Sequence, residues 1–140
     1  MASIDVSDPE AIVIRNWRST TRHGAGVWGR AGVAIGQDGS IYGGTGDSAF
    51  NAAQGIYGNT MFRLNPETLK LEDYYTPPNW EYVWKRDFDI TASAMVFEYG
   101  DLELLVIGGK EGVLYLIDAA NMGGRDPSRK PLHDAAALQR

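Results

Sequence analysis

Gly32-Val33-Ala34-Ile35-Gly36-Gln37-Asp38-Gly39-Ser40-Ile41-Tyr42-Gly43-Gly44 reads as two short strands folded about one turn. Val, Ile and Tyr suit a pleated, half-buried surface, and Gly39 can take the positive φ that a tight hairpin needs. Working outward, a polar loop runs from Thr45 to Asn59. Thr60-Met61-Phe62-Arg63-Leu64 is a third strand, closed by the turn residues Asn65-Pro66-Glu67-Thr68. Leu71 to Thr76 reads as a fourth strand, stopped by Pro77-Pro78.

The same order recurs downstream. Ala94-Met95-Val96-Phe97 leads to a turn at Tyr99-Gly100-Asp101, Leu104 to Gly109 returns, and Val113 to Asp118 follows a turn at Glu111-Gly112. Gly43-Gly44 corresponds to Gly108-Gly109 at an offset of 65 positions, and Leu64-Asn65 to Ile117-Asp118 at an offset of 53. The first copy therefore carries the longer loop, after Gly46. Two degenerate units of antiparallel hairpins are the signature of propeller blades, which run about 40–50 residues each in rings of about 4–8. The fold class expected is all-β, two or so blades of an incomplete ring, which other segments or other chains must complete. Residues 1–23 read as an N-terminal extension or linker, 24–124 as the blades, and 125–140 as a charged tail with a short helix over Asp134–Gln139.

Composition narrows the function classes. Among 140 residues, 13 Lys and Arg against 18 Asp and Glu give a net charge of −5, which argues against a nucleic-acid partner. The absence of cysteine removes disulfides, thiolate metal sites and cysteine nucleophiles together. No apolar run reaches the ~20 residues of a membrane span, and Met1 to Asp8 lacks the basic and apolar regions of a signal peptide.

Several short stretches can carry chemistry. Gly24-Ala25-Gly26-Val27-Trp28-Gly29 matches the dinucleotide fingerprint in letters only, because no strand precedes it and no helix follows. Trp28, isolated among glycines, reads either as a stacking platform for a flat ligand or as an ordinary inter-blade Trp. Asp47, in Gly44-Thr45-Gly46-Asp47, is either a carboxylate satisfying loop amides or a hard oxygen ligand for a calcium-like ion. Strand alternation in Asp87-Phe88-Asp89 places both carboxylates on one face. There they share a cation, act as a general base, or simply pair with Lys85 and Arg86. Lys110, just past Gly108-Gly109, is a solvated cation or a ligand contact. His23 and His133 read as surface residues.

Taken in order, these stretches resemble the quinoprotein alcohol dehydrogenases, the pyrroloquinoline quinone (PQQ) propeller enzymes. Gly24-Ala25-Gly26-Val27-Trp28 resembles the family's Gly-Gly-Gly-Thr-x-Trp, and Ile41-Tyr42-Gly43-Gly44-Thr45-Gly46-Asp47 resembles Tyr-x-Gly-Thr-Gly-Asn. Leu64-Asn65-Pro66-Glu67-Thr68-Leu69-Lys70 resembles Asp-Pro-x-Thr-Gly-Lys. Lys85-Arg86-Asp87-Phe88-Asp89 resembles Gly-Trp-Asp-Phe-Asp, and Lys110 to Asp118 resembles Arg-Asn-Gly-x-x-Tyr-x-Leu-Asp. The resemblance covers about residues 24–124. Asp47 stands where the family has Asn, Arg86 where it has Trp, and Lys110 where it has Arg. The family's vicinal Cys pair and metal-binding Glu have no counterpart in this stretch.

The resemblance implies a PQQ-type propeller, eight-bladed when whole, that oxidises an alcohol or related hydroxyl substrate. It implies Asp87 as catalytic base, Trp28 and Lys110 as quinone contacts, and Asp47 with Asp89 as ligands of Ca2+ or a lanthanide. It further implies the remaining blades or another protein chain as partner, and a periplasmic or secreted location. The alternative, from a different class, is a non-catalytic propeller scaffold or interaction subunit, to which Arg86 beside Asp87 would be suited.

Overall fold

A computed structural model describes residues 1–20, 23–124 and 133–136. Its elements in chain order are β1 (Ala2–Asp5), β2 (Val13–Asn16), β3 (Ala34–Ile35), β4 (Ile41–Gly44), β5 (Phe50–Asn51), β6 (Ile56–Tyr57), β7 (Met61–Leu64) and β8 (Leu71–Tyr75). Then come α1 (Trp80–Lys85), β9 (Met95–Tyr99), β10 (Leu102–Gly108), β11 (Val113–Asp118) and β12 (His133–Ala136). The class is all-β. Two four-stranded antiparallel sheets, β3-β4-β7-β8 and β9-β10-β11-β12, each run in sequence order, and the strands close no barrel among the described residues.

Local chemistry sets the turns. Gly39 takes φ +82, its amide donates to the Gly36 carbonyl, and Asp38 accepts from the Ser40 amide and hydroxyl, so β3 and β4 fold back tightly. Asn65 Oδ1 accepts from the amides of Glu67 and Thr68, which turns β7 into β8. Gly100 and Gly112, both at positive φ, make the two turns of the second sheet. The loop from Thr45 to Asn59 carries its own small hairpin, β5 with β6.

The two sheets pack face to face. Tyr42, Met61 and Tyr75 of the first sheet meet Leu105, Ile107 and Ile117 of the second in one buried cluster. Each such side chain contributes about 1.5–3 kcal/mol by leaving water. Gly44 lets the sheets approach, since a Cβ there would lie 2.6 Å from Ile90 Cγ2 and 2.7 Å from Ile107 Cδ1. Polar ties cross the same seam. The Tyr42 hydroxyl donates to the Ala119 carbonyl at 3.3 Å beside Glu103, and burial pushes its pKa up to about 12. Asp73 on β8 accepts from the amides of Met122 and Gly124, fastening the chain beyond β11 to the first sheet.

The outer faces differ. On the first sheet, Phe62, Leu64 and Leu69 are covered by Trp17, whose ring lies 4.6 Å from that of Phe62. The segment expected as an extension thus holds a hairpin, β1 with β2, and leads into that cover. On the second sheet, Met95, Phe97, Tyr99, Leu102 and Leu114 stand exposed.

One expectation is corrected, and one element is new. Where a helix is expected over Asp134–Gln139, His133–Ala136 form β12, paired with β11 from Leu116↔His133 to Val113↔Ala136. An open strand edge outweighs the helix propensity of Ala135 and Ala136. Residues 137–139 of that expected helix lie outside the described residues. Between Pro78 and Asp87 the chain makes α1, a six-residue helix the strand pattern does not anticipate.

Candidate functional site

The site gathers where β4 and β10 end. Past β4, the Thr45 amide donates to the Thr60 carbonyl and the Thr45 hydroxyl donates to the Tyr57 carbonyl, so the chain leaves the sheet in a fixed direction. The Gly24–Val27 segment lies alongside it. Gly46 N–H donates to the Gly26 carbonyl at 3.0 Å and Ala25 N–H to the Asp47 carbonyl at 3.2 Å. A Cβ on Gly24 would fall 1.9 Å from that Asp47 carbonyl oxygen, so only glycine fits there. Asp47 itself takes φ +38, a left-handed conformation that Asp tolerates better than most residues.

Asp87 arrives by a different route from the one strand alternation suggests. After α1, the amide of Asp87 donates to the Trp84 carbonyl and that of Phe88 to the Val83 carbonyl, with Asp87 at φ +57. These are the paired bonds of a Schellman helix end, with Asp87 in the position usually held by Gly. Phe88 packs edge-on against Tyr82, the apolar contact that accompanies the motif. The expectation of an extended Asp87-Phe88-Asp89 strand is therefore corrected. The helix end aims Asp87 back, and Asp89 enters the second sheet, where Ile90 bridges to Gly109.

The result is one cluster. Carboxylate oxygens of Asp47, Asp87 and Asp89 lie within 4.8 Å of one another. Lys110 Nζ stands 2.9 Å from Asp89 Oδ2 and 3.2 Å from Asp87 Oδ2. The Asp47 amide donates to Asp89 Oδ1 at 2.5 Å. The side chain of Asp89 is 3% exposed and that of Asp87 75% exposed, so one acid is sealed in and the other meets solvent. Burial is the strongest single influence on Asp89 and pushes its pKa up. The Lys110 ammonium and the Asp47 amide together outweigh it and hold the carboxyl below its usual range. Hydrogen bonds to Asp89 and then Asp87 push Lys110 up. Three carboxylates against one ammonium leave the cluster net negative.

The other residues singled out by sequence fall around this centre. Trp28 is half exposed on the adjoining loop, tied in by the Val27–Thr45 bridge, and its indole lies over Gly26. The loop then reaches the second sheet, where Ala31 N–H donates to the Ser93 hydroxyl. The cations expected to pair with Asp87 are turned elsewhere. Lys85 pairs with Glu81 one helical turn back, and the Arg86 guanidinium sits 5.6 Å over the Tyr82 ring. Lys110 takes their place.

Beside Asp47 opens a cavity of about 360 Å³ whose walls include His23, Ser48, Ile56 and Trp84. Trp84 is stacked on Trp80. Sequence reasoning gives Trp84 no role and treats His23 as a surface residue. His23 is exposed, as expected, and stands at the mouth of this cavity. The side chain of His133 lies outside the described residues. No protein-family model, curated protein or solved structure matches the chain.

Proposed function

We propose that the chain is a segment of a PQQ-type β-propeller from a quinoprotein dehydrogenase that oxidises an alcohol or related hydroxyl substrate. The observation that supports it is the convergence of Asp47, Asp87, Asp89 and Lys110, from three separate stretches, at the strand ends of two sequential meanders. The donor set suits the cofactors the family resemblance implies. Carboxylate oxygens are the ligands a hard ion such as Ca2+ or a lanthanide takes, and a net negative cluster favours it. Lys110 offers a cation to anionic quinone oxygens and Trp28 a half-exposed ring for stacking. When bound, the quinone would accept the hydride and the ion would polarise it.

The chain's own residues have separate parts in this reaction. Asp87, exposed on its helix end, takes the substrate hydroxyl proton, and Lys110 stands beside it at 3.2 Å. Asp47 presents its carboxylate to the ion. Asp89, buried beneath them, adds its negative charge to the cluster. The remaining blades, or another chain, complete the ring, and the location follows the family, periplasmic or secreted.

The second reading, a non-catalytic scaffold or interaction subunit, draws on the same ion pairs. Lys110 satisfies Asp87 and Asp89 within the protein, as a purely structural seam would. Titrating the full chain with PQQ in the presence and absence of Ca2+ separates the two. The enzyme reading expects Ca2+-dependent PQQ uptake that is lost in Asp47→Asn and in Lys110→Met, with dye reduction on adding alcohol only once the remaining blades are supplied. Uptake that ignores both Ca2+ and these variants would leave the scaffold.

A further inference from the structure

We propose that Asp89 is the positioning residue of the cluster: it meets neither cation nor substrate, and instead sets where Asp47 and Lys110 stand. Each of its three oxygens is already taken. Oδ1 accepts the Asp47 amide at 2.5 Å, Oδ2 accepts from Lys110 Nζ at 2.9 Å, and its carbonyl accepts the Lys110 amide at 3.0 Å. The residue is 2% exposed. Its surroundings are close-fitting as well. A Cβ on Gly46 would lie 2.7 Å from Asp89 Cβ, and a Cβ on Gly109 would lie 2.8 Å from the Asp89 carbonyl oxygen. An ion coming from solvent would have to displace charge-assisted bonds inside a packed seam to reach Asp89.

The two other acids are placed to receive a ligand. Asp87 is 75% exposed at its side chain and holds one ion pair, to Lys110. The Asp47 carboxylate is exposed and forms no hydrogen bond or ion pair among the described residues. Asp89 therefore acts through its neighbours. Oδ1 holds the Asp47 loop, and Oδ2 holds the ammonium that faces Asp87. This inference deepens the function proposed above and rests on it only for the identity of the ligand.

Two measurements on the full chain test it. Isotope-edited NMR should detect a coupling through the hydrogen bond from the Asp47 amide nitrogen to the Asp89 carboxyl carbon, with the Asp47 amide proton far downfield. Lys110→Met should leave that proton in place, because Oδ1 holds it independently. Its loss in that variant would assign the positioning to Lys110 and overturn the proposal. Tryptophan-sensitised terbium luminescence then probes the cation. Asp47→Asn should weaken uptake by about tenfold or more, and Asp89→Asn, which keeps an acceptor for the Asp47 amide, by less than about threefold. Equal losses with an unmoved Asp47 amide would make Asp89 a direct ligand, and absence of the coupling would remove its positioning role. A parent chain that takes up no terbium would instead count against the metal in the proposed function, leaving Asp89 to be decided by the coupling.

Discussion

Asp87 carries two demands at one position, a carboxylate for chemistry and a left-handed backbone at φ +57 for the helix end. Asn meets the second demand and not the first. Asp87→Asn should therefore leave the circular dichroism spectrum and urea midpoint nearly unchanged while abolishing turnover of enzyme loaded with PQQ and Ca2+. A β-branched residue meets neither demand, and Asp87→Val should lose about 1–2 kcal/mol of stability from the backbone alone. Equal urea midpoints for the Val and Asn variants would mean that the Schellman geometry places no constraint on residue 87. The exposed Asp87–Lys110 pair contributes little beside this, as solvent screens it.

Elements meet here through absent side chains. Gly44 faces Ile90 and Ile107 across the seam, so Gly44→Ala overpacks the core and should cost about 1–3 kcal/mol. Gly55, at φ +67, has open space where a methyl would stand, so Gly55→Ala should cost only the left-handed penalty, about 1 kcal/mol. Urea unfolding of the two alanine variants compares them directly, and equal losses would deny the close approach of the sheets. Strands β3, β4 and β7 to β11 are legible in the sequence because alternation and turn residues agree at Gly39, Asn65, Gly100 and Gly112. Helix α1 is not. Its Trp80, Tyr82, Val83 and Trp84 have weak helix propensity, and six residues show too little period. The candidate residues are legible as residue types, yet their convergence is not. Nothing in the letters Asp-Phe-Asp shows that Asp87 has positive φ, or that Lys110, not Arg86, is its cation. Trp84 escapes notice for the same reason, since its place on the cavity wall depends on the unforeseen helix.

At the scale of the whole molecule, the second sheet has two apolar faces, and only one is covered among the described residues. Met95, Phe97 and Tyr99 line the bare one on alternate positions of β9. Such a patch should drive association with like surfaces. Sedimentation velocity should show weight-average mass rising with concentration, and a Met95→Glu, Tyr99→Lys double variant should suppress the rise. A parent chain that stays monomeric and melts cooperatively at high concentration would show that this face needs no cover.

The Tyr42 hydroxyl, sealed between the sheets beside the Ala119 carbonyl, gives the molecule a chromophore that reports on its own seam. With the folded phenol's pKa near 12, against about 10 once unfolded, alkali should ionise this ring late. Because ionisation is easier in the unfolded chain, the contribution to stability is whole below about pH 10 and drains away as pH climbs towards 12. Phenolate absorbance in the near ultraviolet should then arrive in two waves, the second coinciding with loss of ellipticity. In Tyr42→Phe the late wave should shrink by one phenol, turning an ordinary alkaline titration into a clock for the moment the two sheets part.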